Sequence, residues 1–373
     1  MIDLVTTNFE NVVLVYNGAN AFEFGFLDDY PQIKPVLWAP HPGQAGFTAL
    51  GEVMTGAVNP SGRTADTFVG DLTQTPNWNN FGAFQYDNVS EFEVESARGV
   101  RSPKFVNYVE GIYVGYRFYE TAAAEGLIDC DATVTYPFGY GLSYSSFAYG
   151  GLTADETGVS FTVTNGSDVA GATVAQLYVR GPEGGVLRPD RELKGFAKVA
   201  LAAHETATVR IAFDRYTFRH FDVAANGWKT ESGVWTLMVG GNAADLPLST
   251  PFAVAGDVDA VPADPALGHY LTGDVKNVTD AEMTVLFRRD VIAPGKPTTF
   301  GVNDPISSWV DSKGFVARTV AKTLIKNEAK TRQKTGAPDL NTLFILNMPP
   351  RAMSKMTQGM VDAAMVDAIV KIA

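Results

Sequence analysis

The sequence predicts three regions in series: an incomplete α/β unit with a parallel sheet, an all-β sandwich and a helical tail. Three observations carry this prediction. Near the N-terminus two strand-like segments, Val12–Tyr16 and Ile33–Trp38, alternate with helical stretches. From about residue 147 the hydrophobic period falls to two, with turn signals between segments. Beyond the stretch 256–266, where Pro262 and Pro265 mark a linker, apolar residues recur at helical spacing.

The elements follow in order. Ile2, Leu4, Val5 and Phe9 read as the last turns of a helix. Val12-Val-Leu-Val-Tyr16 is a short continuous apolar run, the pattern of a strand buried on both faces. Asn17 to Asn20 supplies a turn, Phe22 to Tyr30 a short helix, and Ala45 to Thr55 a helix stopped by Gly56. Two or three strands do not make a stable doubly wound domain, so the unit is expected to be truncated at its front. Residues 60–145 are turn-rich and aromatic (Trp78, Phe81, Phe84, Tyr86, Phe92), as in a segment that carries function or wraps a neighbour. Alternation is clean in Val159–Val163, Val174–Val179, Thr208–Phe213 and Val234–Val239. Asn165-Gly, Pro182 to Gly185, Asn226-Gly and Gly240-Gly separate these runs, which argues a β-sandwich. In the tail, Val316, Val320 and Leu324 form one apolar stripe. Val361, Ala364, Met365, Ala368 and Ile372 form another, and Arg318, Lys322, Lys326 and Lys330 a basic one.

Composition narrows the function. The 373 residues carry a net charge of −12, which argues against nucleic acid as a partner and suits neutral substrates such as sugars. No run reaches the ~18 apolar residues of a membrane span, so no membrane association is expected. The single cysteine, Cys130, permits a reducing compartment, and the N-terminus has no leader pattern. A cytoplasmic location is therefore the expectation, subject to a true N-terminus lying upstream.

Candidate chemistry is sparse. Glu93 and Glu95 share a face if extended, Glu110 stands among aromatics near Arg117, and Asp66 follows the turn at 59–63. Such carboxylates can bind sugar hydroxyls, but capping a loop or pairing with Arg117 is the expected role for each. His41, His204, His220 and His269 lack metal-ligand spacing, so neither a metal nor a cofactor is expected. His41 lies at a strand end, where ligands tend to sit on parallel sheets, yet loop packing is its expected role. Gly139 and Gly141 allow a tight aromatic turn. The basic stripe is expected to be a solvated face.

Trp38-Ala-Pro-His-Pro-Gly-Gln-Ala-Gly-Phe47, Asn59-Pro-Ser-Gly-Arg63 and Tyr136-Pro-Phe-Gly-Tyr-Gly-Leu-Ser-Tyr144, in this order, resemble the C-terminal half of family 3 glycoside hydrolases, a family of β-glucosidases. Glu110–Tyr119 is similar to the segment leading into that family's fibronectin-III-like domain. Gln176–Val179 and Arg191–Val199 are similar to strands of that domain, and Met348-Pro-Pro-Arg351 with Gly359-Met360 to the helical tail of some members. Phe47, Thr64-Ala65 and Pro350 depart from the common pattern. The resemblance divides the chain into the back part of an α/β sandwich (1–146), a fibronectin-III-like β-sandwich (147–255), and a linker with helical tail (256–373).

The resemblance implies hydrolysis of terminal β-linked glycosides with retention, through a covalent intermediate between two carboxyl groups. Family members carry the nucleophilic Asp in an N-terminal (β/α)-barrel within a Ser-Asp-Trp type motif, and no such motif occurs here. Their acid/base Glu lies in a loop before the strand matching Val12–Tyr16. Glu10 is too close to that strand to match, so no catalytic or substrate-binding residue carries over. The expected partners are a β-glucoside or oligosaccharide in the complete enzyme, a missing barrel half, and a second copy of the chain. The alternative is a non-catalytic carbohydrate-binding or assembly subunit.

Overall fold

The computed structural model describes residues 1–78, 84–96, 99–101, 103–293, 300–335, 338–356 and 360–371. Phe81, Gly359 and Ile372 lie outside them, as does the side chain of Glu95. The chain forms two compact units, Met1–Asn79 with Tyr108–Asp290, and Asn80–Asn107 with Val291–Ala373.

The first unit opens with α1 (Ile2–Asn8), β1 (Val12–Tyr16), β2 (Ile33–Trp38) and α2 (Gly46–Met54). β1 and β2 pair in parallel, Leu14 opposite Val36 and Tyr16 opposite Trp38. The helix expected over Phe22–Tyr30 is only a 3-10 turn at Gly25–Asp29. β1 is not buried on both faces. Val13 is exposed and the other four residues are half-buried, because β2 is its only ladder partner among the described residues. The aromatic segment supplies the layer beneath the strands. Phe68 lies 5.1 Å from Trp38 and 5.7 Å from Phe24, with Phe24 and Phe68 both buried.

Helix α3 (Tyr116–Ala124) buries Phe118, Tyr119 and Ala122 against Leu267, Tyr270 and Val275. The Tyr270 hydroxyl donates to Val109 O at 2.7 Å. Residues 265–275, which composition placed in the tail, thus pack within this unit.

The sandwich comprises β3 (Phe147–Asp155), β4 (Gly158–Asn165), β5 (Gly171–Arg180), β6 (Glu192–Leu201), β7 (Thr206–Ala212), β8 (Gly233–Gly240) and β9 (Leu248–Val254). One sheet has the order β7-β4-β3, the other β6-β5-β8-β9, and every pairing is antiparallel. The period of two is fulfilled: Val159, Phe161 and Val163 of β4 meet Leu177 and Val179 of β5 and Trp235, Leu237 and Val239 of β8. Each such buried side chain contributes roughly 1.5–3 kcal/mol. A hairpin, Arg219–Asp222 with Gly227–Thr230, belongs to neither sheet. Asn226 in its turn adopts the left-handed conformation that the Asn-Gly pair predicts (φ 47°).

In the second unit Phe300, Ile306, Trp309 and Leu346 form a core with Ala317 and Ala321 of the long helix Phe315–Thr335. Ala317 and Ala321 are buried and Leu324 packs on the core as expected, while Val316 and Val320, one position before the two alanines, are exposed. Alanine lets the helix approach the Trp309 ring closely, and that outweighs valine's larger apolar area. In the last helix, Ala363–Lys371, Val366 is buried and Ile369 packs on the core, whereas Met365 is half exposed. The i, i+3 pair of β-branched residues prevails over the register read from the alanines.

Candidate functional site

The turn-rich motifs converge in the first unit. Asn59 Nδ2 donates to Ser145 Oγ and to Ala170 O, each at 2.9 Å. Its Oδ1 accepts from Ser143 Oγ and Tyr144 N, each at 2.8 Å. Arg63 donates through Nη1 to Gly141 O at 2.6 Å and through Nη2 to Thr173 Oγ1 at 2.8 Å. Burial holds its guanidinium below the usual arginine range. Gln176 Nε2 donates to Gly139 O at 3.1 Å and Gly241 O at 2.6 Å. The motif 59–63 therefore grips the motif 136–144 and the β-sandwich together. Gly139 does occupy a positive-φ turn (81°). Close approach constrains it as well: a Cβ there would lie 2.3 Å from Gln176 Oε1, and one on Gly141 2.1 Å from Gly62 O.

A second polar cluster joins α3 to the sandwich. Arg191 Nη1 lies 3.3 Å from Glu120 Oε2, and Arg191 Nε 2.7 Å from Asp190 Oδ2. Arg180 holds Asp190 at 2.6 Å, Arg117 holds Glu192 at 3.2 Å, and the Thr121 hydroxyl accepts from Asp190 N at 2.8 Å. Burial pushes the Glu120 carboxyl up to about 7 despite the nearby guanidinium. Arg191 does not offset burial, because its cation is shared with the closer Asp190 carboxylate. Burial, and then Glu120 itself, push the Cys130 thiol up to about 11, which makes it a poor nucleophile.

The raised Glu120 pKa has a signed consequence. The native state holds a proton that the unfolded state releases near the ordinary value of 4.5. Its contribution to stability is therefore full below that value and is lost as pH rises toward 7. We expect unfolding free energy to fall by about 1–3 kcal/mol across that interval, and Glu120→Gln to remove this part of the slope. Urea unfolding at several pH values checks it, and an unchanged slope in the variant refutes it.

The residues singled out from sequence are not brought together. Asp66 is exposed, and its Oδ1 accepts from the adjacent Thr67 N. Glu110 is buried, and the Arg117 guanidinium pairs with Glu192. Glu93 is half-buried and His41 exposed on a positive-φ turn. His204 faces Asp168, His220 faces Arg188, and His269 faces Glu282. Among the described residues no group of three or more His, Cys, Asp or Glu could hold a metal. No helix among them is long and apolar enough to cross a membrane.

Sequence reasoning missed the most buried ion pair among the described residues. Glu231, 1% exposed, accepts from Arg188 Nη1 through Oε2 and from Val186 N through Oε1 at 3.0 Å. Arg188 lies 4.8 Å over the Trp235 ring and bonds His220 Nδ1 at 3.0 Å. The available signal was a lone carboxylate between Trp228 and Trp235 in a strand-forming stretch. Glu120, the only acid in the apolar and aromatic Tyr116–Ala124, carried a similar signal.

Residues 1–116 match the glycosyl hydrolase family 3 C-terminal domain, and residues 173–243 the fibronectin type III-like domain. The thermostable beta-glucosidase B of Acetivibrio thermocellus is 32% identical over 301 residues, 75% of this chain and 36% of that protein. An exo-alpha-(1->6)-L-arabinopyranosidase of Bifidobacterium breve is 36% identical over 220 residues, 58% of this chain and 26% of that one. Among solved structures, the Bifidobacterium adolescentis GH3 beta-glucosidase superposes with a TM-score of 0.57 at 31% identity, over 76% of this chain and 37% of its own. The chain spans about a quarter to a third of the length of the relatives it matches.

Proposed function

Because the chain belongs to the C-terminal portion of glycoside hydrolase family 3, we propose that it serves hydrolysis of terminal β-linked glycosides as a scaffold. It braces one wall of a sugar cleft against the fibronectin-III-like sandwich. The observation that supports this reading best is the clamp. The motifs by which the family is recognised spend their polar groups on one another and on the sandwich, through Asn59, Arg63 and Gln176. The nucleophile comes from a barrel, and the acid/base from a loop ahead of β1 in the complete α/β sandwich. The two buried acids of the first unit whose partners are described, Glu120 and Glu231, are bound to arginine, so neither is free to act on a glycosidic bond.

These 373 residues assayed alone on nitrophenyl β-glucoside are expected to turn over at least about a thousandfold more slowly than an intact relative. Turnover within tenfold would refute the scaffold role. A chimera carrying this chain in place of the matching part of the Acetivibrio thermocellus relative is expected to hydrolyse the same substrate. A chimera that melts cooperatively but stays inactive would overturn the assignment to glycoside hydrolysis.

A further inference from the structure

The hairpin Arg219–Asp222/Gly227–Thr230 lies outside both sheets of the sandwich and carries an aromatic cluster of its own. Register places Phe221 opposite Trp228 on one face, and His220 opposite Lys229 on the other. The Trp228 ring lies 5.6 Å from Phe221 at 82° and 5.4 Å from Tyr216 at 66°. All three rings are open to solvent, Trp228 at 50%, Phe221 at 48% and Tyr216 at 40% exposure. The opposite face is fixed: His220 bonds the half-buried Arg188, which is paired with the buried Glu231. The turn is fixed too, since Asp222 Oδ1 accepts from Ala224 N at 2.8 Å and Ala225 N at 3.1 Å.

A cross-strand aromatic pair stabilises any hairpin, but that requires neither the third ring nor half exposure of all three. The patch is small. Three aromatic side chains about half exposed present roughly 250–350 Å². A stable protein interface takes about 800 Å² from each partner, so a second protein is a poor fit. One edge is charged: the Arg215 guanidinium lies 4.6 Å over the Tyr216 ring. A ligand with a flat C–H face and hydroxyls around its edge matches both features, and a pyranose has that shape. Its C–H face stacks on an indole while its hydroxyls bond the charged edge. The rigid backing means few rotamers are lost on binding.

We propose that Tyr216, Phe221 and Trp228 form a surface glycan-binding site for pyranose units of a β-linked glucan. The choice of glucan rests on the glycosidase reading above; the stacking geometry does not. The full chain is run in native gels containing soluble barley β-glucan, with dextran as the α-linked comparison. We expect retardation by β-glucan. Trp228→Ala should weaken it by about tenfold and Trp228→Tyr by no more than about threefold. Phe196→Ala, which removes a more exposed ring (69%) on β6, should leave it unchanged. Absence of retardation, or unchanged retardation of a folded Trp228→Ala, overturns the site. If Trp228→Ala does not fold, Tyr216→Ala carries the test, with a loss of about threefold expected and none refuting. A chimera that hydrolyses nitrophenyl glucoside while the chain ignores β-glucan would sink this site and leave the scaffold reading intact.

Discussion

Glu231→Ala is expected to destabilise the first unit by about 3–5 kcal/mol, the largest effect of any single substitution considered for this chain. The carboxylate is 1% exposed, and it satisfies both the Arg188 guanidinium and the Val186 amide. Its removal strands a cation whose side chain is 11% exposed beside Trp235. Arg188 cannot reach water without leaving the Trp235 ring and releasing His220. The expected melting shift is on the order of 10 °C. The double variant Arg188→Met/Glu231→Leu should cost less than Glu231→Ala alone, because it removes the cation with its partner and fills the space with apolar volume. A Glu231→Ala protein melting within about 2 °C of the parent has lost less than about 1 kcal/mol, and that result would show that the pair is not a buried one.

Gly141→Ala is expected to cost about 2–4 kcal/mol, although it adds a single methyl group. The new Cβ would stand 2.1 Å from Gly62 O and 2.6 Å from Arg63 Nη1. The first of these is backbone, so it cannot retract like the end of a flexible side chain. Relief requires the 59–63 turn to back away, which breaks the Arg63 bonds to Gly141 and Thr173. Gly51→Ala supplies the contrast. That glycine lies inside α2 with nothing near its Cβ direction, and alanine there should stabilise by about 0.5–1 kcal/mol. Thermal melts of the two variants side by side test the argument. Equal shifts in both would mean that the clamp carries no strain-sensitive contact.

The legibility of this molecule in its sequence follows the range of the interactions involved. β1, β2 and α2 were legible because local runs and turn residues define them, and the sandwich strands because alternation is a nearest-neighbour property. The clamp was not legible as a clamp. Asn59 and Ser145 are 86 residues apart, and nothing near either one announces the other. In the long helix Ala317 and Ala321, and not Val316 and Val320, face the core beside Leu324, because alanine's value in a helix face depends on the bulk opposite, here Trp309. Glu231 and Arg188 carry no periodic signal, since a buried pair needs only one partner, supplied from 43 residues away. The hairpin turn was read from Asn226-Gly, but the cross-strand meeting of Phe221 and Trp228 depends on register, which the turn fixes only after it has formed.

The span of the clamp also orders events during synthesis. Arg63 waits for Thr173, 110 residues further along the chain. At about 5–20 residues per second, that is roughly 5–20 s in which the segment ahead of Arg63 is made but cannot dock. Through that interval Asn59 and Arg63 lack the Ala170 and Thr173 oxygens that they bond in the finished unit. The sandwich is the late-arriving template, and the turn at 59–63 is its early and unsupported client. A chaperone at the ribosome exit that holds apolar segments would therefore engage residues 1–60 for longer than it engages the sandwich strands, whose partners emerge soon after them.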